Sequence, residues 1–283
     1  MRPVIEKNQF GLRHIVYIIM ITICVVAIGI GVYMQFFKDE KLGVIFGITK
    51  ENEDQELKEL QEKFFNIFTN DIEIINEYSG KVNKIKEDGD IVILAYDLQD
   101  QKENYAMDVK IPYFNIKAEN AVKLNQRIKN VFKDKSENVA TSTTNINTIY
   151  NVKYKAYLNN NILSLVILSE LKEGENNQRI IVMTYNYNIE NDSEATINDL
   201  ILNKNIDTKQ ANEHIKKVIN NSQEENLKLR ELGYPIDVRD TNSEEYKIEN
   251  AKKFFMGQNG YLYVLYPYGN KEYTSEMDIV IFR

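Results

Sequence analysis

From Ile15 to Phe37 the chain carries no charged residue. At about 1.5 Å per helical residue this run spans roughly 34 Å, against a hydrocarbon core of about 30 Å. It is longer than the apolar core of a cleaved signal peptide, and no small-residue cleavage site stands out after it. The run therefore reads as one membrane-spanning helix in contact with the lipid bilayer. Cys24 is the only cysteine and lies inside this run. Ile23 before it and the apolar residues after it argue for a plain buried cysteine rather than a lipidated one.

The flanks set the orientation. Arg2, Lys7 and Arg13 precede the run, whereas Lys38-Asp39-Glu40-Lys41 comes after it and the chain turns acidic from Glu51. Positive charge concentrates on the cytoplasmic side of a membrane helix. The expected order is a cytoplasmic N-terminus at 1–14, a transmembrane helix at 15–37 and a connector with an amphipathic helix at 38–74. An extracytoplasmic domain occupies 75–283. The chain is thus expected at the cell membrane, single-pass, with its C-terminal domain outside.

That domain is acidic. The whole chain has a net charge of -7, and the first 37 residues contribute +2, which leaves -9 for the rest. Phosphate contacts need a basic face, so nucleic acid is not an expected partner. A basic protein partner is compatible with this charge. Without a cysteine, the domain has no disulfide framework, thiol nucleophile or cysteine-based metal site. Hydrophobic residues make up 43 % of the chain, enough to build a core.

Periodicity supplies the elements. Leu57, Leu60, Phe64 and Phe68 recur at helical spacing, which predicts a helix over Asn52–Phe68. Ile91–Tyr96 reads as a buried strand. Tyr105–Ile111 alternates as a half-buried one, with Asp97–Asn104 as the loop between and Pro112 as the stop. Ala118–Phe132 is amphipathic, with Ala121, Leu124, Ile128, Val131 and Phe132 on one side. Lys133–Thr148 reads as a loop. Strands are expected at Val152–Tyr157, Ile162–Leu168 and Ile180–Tyr187. Asp207 opens a second helix with capping-box spacing to Gln210, and Gly233-Tyr234-Pro235 ends the helical stretch. Residues 236–250 are polar and poorly defined. The chain closes with strands at Lys253–Met256, Tyr261–Tyr266 and Asp278–Phe282, the first two joined by an Asn259-Gly260 hairpin turn. Hairpins dominate and helices come in blocks. The fold class is therefore α+β, antiparallel sheets with packed helices, preceded by one transmembrane helix.

The order of motifs resembles a known family. Ile111-Pro112 with Ala121, Leu124-Asn125 and Ile128 looks like its entry helix. Tyr154–Leu165 is similar to its strand–turn–strand. Thr184-Tyr185-Asn186-Tyr187 and Ile197-Asn198-Asp199-Leu200 match the next segment. Phe255–Gly260, Tyr266-Pro267-Tyr268 and Ile279–Ile281 match the last. The family is the paired extracytoplasmic domain of unknown function of the anti-sigma-V factor RsiV ectodomain and of the N-terminal region of the peptidoglycan deacetylase PdaC. Two departures stand out. The family's Gly-Gly-Ala-His-Gly turn reads Gly174-Glu175-Asn176-Asn177-Gln178 here. The roughly 14 residues before the apolar run are also short for the family's sigma-binding region, and neither that region nor a deacetylase domain is expected. The resemblance implies an extracytoplasmic α+β domain whose partner is a lysozyme-like protein or peptidoglycan.

Chemistry-bearing motifs are scarce. His214 is the only histidine after the apolar run and has no second histidine or cysteine for a metal. No phosphate loop or nucleophile elbow is present, and Ser164 and Ser169 lie in strands without a base partner. No cofactor and no metal site are expected, and no catalytic residue is named. A wall-polymer hydrolase needs only two facing carboxylates and is the alternative. The strongest surface signal is aromatic: Tyr261, Tyr263, Tyr266, Tyr268 and Tyr273 crowd the C-terminal hairpin. Alternation puts Tyr261 and Tyr263 in a sheet core. Tyr266, Tyr268 and Tyr273 are the candidate partner-binding residues. The expected function is a membrane-anchored, non-catalytic binding or sensor domain.

Overall fold

The computed structural model describes residues 48–142, 146–234, 236, 238–268 and 276–283. The chain divides into two units, residues 1–60 and 61–283. The expected membrane span Ile15–Phe37 lies outside the described residues. Among those described, no helix is long and apolar enough to cross a membrane.

Helix α1 (Ile48–Glu62) begins earlier and ends sooner than the apolar stripe predicts. Phe64 and Phe68 leave the helix through a 3-10 turn at Phe64–Asn66 and are buried in an aromatic cluster of the second unit. Phe64 lies 5.7 Å from Phe68 and 6.3 Å from Phe255 between ring centres. The stripe is thus one of core aromatics that continues past the helix end.

Seven strands form the large sheet: β1 (Ile72–Asn76), β2 (Val92–Lys102), β3 (Tyr105–Phe114), β4 (Thr148–Asn159), β5 (Ile162–Glu173), β6 (Arg179–Asn188) and β7 (Ser193–Glu194). Their order is β2-β3-β4-β5-β6-β7, with β1 also paired to β4. The expectation of antiparallel sheets is corrected here. The sheet is mixed, because β4 runs parallel to both β3 and β1. The cause is the segment after β3. Helix α2 (Glu119–Ile128), a π turn at Lys129–Lys133 and α3 (Asp134–Thr141) carry the chain back over the sheet. Such a crossover returns the next strand parallel to the last. Much of Lys133–Thr148, expected as loop, is this helix. Its polar sequence conceals the buried Ser136 and Val139.

Asp97–Asn104 is also strand rather than loop as far as Lys102, and only Glu103-Asn104 turn. The ladder pairs Asp97 with Lys110 and Leu98 with Val109. Its polar residues line the solvent side of an edge strand. Pro112 does not end β3. The register shifts between Leu94 and Tyr96, and Pro112, which has no N–H to offer, sits opposite Leu94 beside that irregularity.

Helices α4 (Ile197–Asn203) and α5 (Thr208–Glu231) come next. Asp207 caps α5 as its spacing predicts, accepting from the Gln210 N–H at 2.8 Å. The small antiparallel sheet comprises β8 (Lys253–Met256), β9 (Leu262–Pro267) and β10 (Met277–Phe282), with β9 in the middle. Asn259 and Gly260 take φ of 59° and 69°, the left-handed values that a tight hairpin turn needs.

Two apolar clusters result. The first lies between the large sheet and α2–α3, and includes Ile111, Leu124, Ile128, Val152 and Leu165. The second joins α4, α5 and the small sheet through Leu200, Ile215, Ile219, Leu262 and Val280. Stacked rings connect the two sheets: Phe255 lies 5.9 Å from Tyr157 and 4.7 Å from Tyr263.

Polar side chains close the strand edges that strands leave open. Asn125 of α2 accepts from the Phe114 N–H and donates to the Phe114 carbonyl, both at 2.9 Å. Asn186 donates to the Phe254 carbonyl at 2.8 Å, Ser164 accepts from the Met256 N–H at 3.0 Å, and Thr184 accepts from the Phe254 N–H at 3.2 Å. The outer edge of β8 thus docks on side chains of β5 and β6 instead of on a strand. Buried backbone groups need such partners, and these residues supply them.

Candidate functional site

The aromatic hairpin ends in a charged cluster. Tyr268 comes directly after β9, and its N–H donates to the Glu276 carbonyl at 2.9 Å, which sets these two residues opposite each other ahead of β10. Two residues along, Asp278 pairs with Tyr266. Asp278 is buried and forms an ion pair with Arg239, whose side chain is also buried. The Arg239 guanidinium lies 3.8 Å from the centre of the Tyr268 ring, a close cation–π contact. It donates to Ser222 Oγ at 3.1 Å and to Gln223 Oε1 at 3.2 Å, both on α5. Ser222 Oγ lies 3.4 Å from the Tyr268 hydroxyl. A helix, a loop and a hairpin together fix one tyrosine on one arginine.

Burial pushes the Asp278 carboxyl up from its ordinary range, while its bonds to Arg239 and Ser222 pull the other way. Glu276 is also raised, first by burial and then by repulsion from Asp278, with Arg239 opposing. Burial raises Tyr246 as well, against the nearby Arg239.

Of the three tyrosines singled out in the sequence, Tyr268 belongs to this cluster. Tyr266 is only 5 % exposed and packs edge-on against Tyr246 at 5.7 Å. It faces the core under α5 rather than solvent. Tyr273 lies outside the described residues. Tyr263 is buried against Phe255, whereas Tyr261 is partly exposed, with the Arg283 guanidinium 5.8 Å from its ring centre. Sequence reading missed Arg239 and Asp278. Arg239 falls in the segment read as poorly defined. Asp278 did leave a signal: it shares a strand face with Val280 and Phe282, and an acid on a core face requires a partner.

A second feature lies in the large sheet. One edge of β4 is shared by two parallel strands, β3 as far as Val152 and β1 from Ala156. Between them Asn70, at φ 61°, takes the place of a strand. Its N–H donates to the Tyr154 carbonyl at 2.8 Å, and its Oδ1 accepts from the Tyr154 N–H at 3.0 Å. At this fork opens a cleft of about 420 Å³ lined by Asn70, Asp71, Ile72, Asp90, Val92, Ile93, Leu94 and Tyr154. Burial pushes Asp71 up, but hydrogen bonds from Thr69 and Lys155 outweigh it, and the carboxyl lies below its ordinary value. Lys155 Nζ is 2.9 Å from Asp71 and 3.6 Å from Glu73. A smaller hollow of about 330 Å³ lies on β4 and β5 beside Gln178, the last residue of the altered turn.

The remaining sequence candidates take structural places. Ser164 is buried and donates to Asn186 Oδ1 at 2.7 Å. Ser169 is buried in β5. His214 meets Phe282 edge-on at 5.6 Å. Among the described residues no three histidine, cysteine or carboxylate side chains gather as a metal site would require.

No family model and no curated protein matches the chain. Among solved structures, it is similar to a DUF3298 family protein from Pseudomonas aeruginosa PAO1. That match has 9% sequence identity and a TM-score of 0.41, and covers 68% of this chain and 86% of that one. It is also similar to a DUF3298 family member from Bacteroides fragilis. Here the identity is 12% and the TM-score 0.33, with 72% of this chain and 91% of that one covered. Both structural neighbours thus belong to a family of domains of unknown function, at low identity to this chain.

Proposed function

We propose that this chain is a membrane-anchored binding or sensor domain on the outer side of the membrane. Its ligand is a lysozyme-like basic protein or a cell-wall glycan. The observation that carries the reading is the Tyr268 ring held on the buried Arg239–Asp278 pair. An aromatic side chain fixed by its neighbours gives contact area with little ordering cost on binding. The charges beneath it are paired with each other, which suits a recognition platform better than a reactive centre. The net charge of -9 beyond residue 37 is compatible with a basic partner.

Binding is tested with the full chain in detergent, against lysozyme and against insoluble peptidoglycan at moderate salt. One of the two should be retained, and Tyr268→Ala should weaken retention about tenfold, as loss of an aromatic anchor does. Retention of neither rejects both ligands. Topology is tested separately: protease added to intact cells should degrade the C-terminal domain, and full protection would reverse the assigned orientation.

A wall-polymer hydrolase is the second reading, favoured by the presence of Asp71 and Asp90 in one cleft. In that reading Asp71, held below its ordinary value, is the nucleophile or base, and the acid role falls to Asp90. Release of soluble fragments from peptidoglycan, abolished in Asp90→Asn, would favour the hydrolase.

A further inference from the structure

The fork cleft has a donor–acceptor balance of its own. Asp90 is exposed and makes no ion pair among the described residues. Asp71 shares Lys155 with Glu73. Lys110, the other cation near Tyr154, is engaged with Asp97 at 3.1 Å and Asp108 at 3.2 Å. Tyr154 is 5 % exposed and lines the cleft, and its hydroxyl has no hydrogen-bond partner among the described residues. Burial raises this phenol first, and the Asp71 and Asp90 charges raise it further, so it stays protonated at neutral pH. Two carboxylates, of which Asp71 is already paired with Lys155, and one phenol therefore line one opening. Ile72, Val92, Ile93 and Leu94 supply its apolar walls.

We infer that the fork cleft is a cation subsite, which takes the ammonium or guanidinium head of a lysine or arginine side chain from a basic protein. An ammonium has three donors and no acceptor. Asp90 offers its carboxylate and Tyr154 its phenol oxygen, while Asp71, already bonded to Lys155 and Thr69, lines the same cleft. The aliphatic stem lies along the apolar wall while the head meets the acids, as long basic side chains commonly do. The cleft volume of about 420 Å³ exceeds one side chain and leaves room for the backbone that carries it. Lys155 and Lys110, the lysines that reach Asp71 and Tyr154, are each already paired with carboxylates. The subsite rests on the protein-partner form of the proposed function only for the owner of the cation. The cleft chemistry stands on its own.

The test uses the full chain in detergent and two probes, lysozyme and an end-capped tri-lysine peptide, with a tri-glutamine peptide as the uncharged control. Three variants are compared: Asp90→Asn, Tyr154→Phe and Asp88→Asn. Asp88 is an exposed carboxylate two residues from Asp90 and outside the cleft lining, so its variant reports general charge. Asp90→Asn should weaken both basic probes about tenfold and Tyr154→Phe about threefold, the range for charged and neutral hydrogen bonds. Asp88→Asn should change little, and tri-glutamine should not bind. If tri-lysine binds in this pattern while lysozyme does not, the cation subsite stands and lysozyme falls as the partner. If lysozyme binds but Asp90→Asn and Tyr154→Phe leave it unchanged, the subsite is overturned and the proposed function survives. Equal losses in Asp88→Asn and Asp90→Asn, or no binding of tri-lysine, also overturn it.

Discussion

Several single side chains in this protein do the hydrogen bonding of a missing strand. Asn186 is the clearest case, since it accepts from Ser164 and donates to the β8 backbone from a buried position. Asn186→Ala should lower the unfolding free energy by about 3 kcal/mol in urea titration, because buried polar groups lose their partners. Glu276 behaves differently. Its carboxyl is raised above 4.5 by burial and by Asp278, so the folded state disfavours its charge. That cost is absent below pH 4.5 and fully present above the raised value. Glu276→Gln should therefore be more stable than the parent at pH 7, with the difference vanishing as pH falls to 4. A constant difference across that range would contradict the assigned cause.

Elements with a strong local signal were legible in the sequence, and those defined by distant partners were not. The Asp207 cap and the Asn259-Gly260 turn are local, and both appear where their residues place them. The polar strand half after Tyr96 was unreadable because its ladder is with β3 while its side chains face solvent. Helix α3 was hidden for a similar reason, and with it the parallel crossover. Thr196 was also passed over, although it caps α4 with a reciprocal Asp199 bond. Thr196→Ala should cost about 1 kcal/mol, measured by thermal or urea unfolding. Of the candidate site, Tyr268 was legible as an aromatic at a hairpin end. Arg239 was not, since only the fold brings a loop arginine over a ring 29 positions later.

At the scale of the whole second unit, two apolar clusters are joined through the Tyr157–Phe255–Tyr263 stack and the docked edge of β8. Phe255 is fully buried at this junction. Phe255→Ala should destabilise by about 4 kcal/mol, and amide exchange should accelerate in the small sheet and in β5–β6 together. Acceleration confined to β8–β10 would mean that the sheets open independently. The shared edge of β4 has a further consequence, in time rather than space. Asn70 and β1 emerge early in synthesis, yet their partner residues in β4 come 84 positions later. Until β4 is made, β1 has no native neighbour, and the fork is completed only once both of its arms and β4 have emerged. The first strand of this domain to leave the ribosome is therefore among the later ones to find its place, and a chain truncated before β4 lacks the cleft altogether.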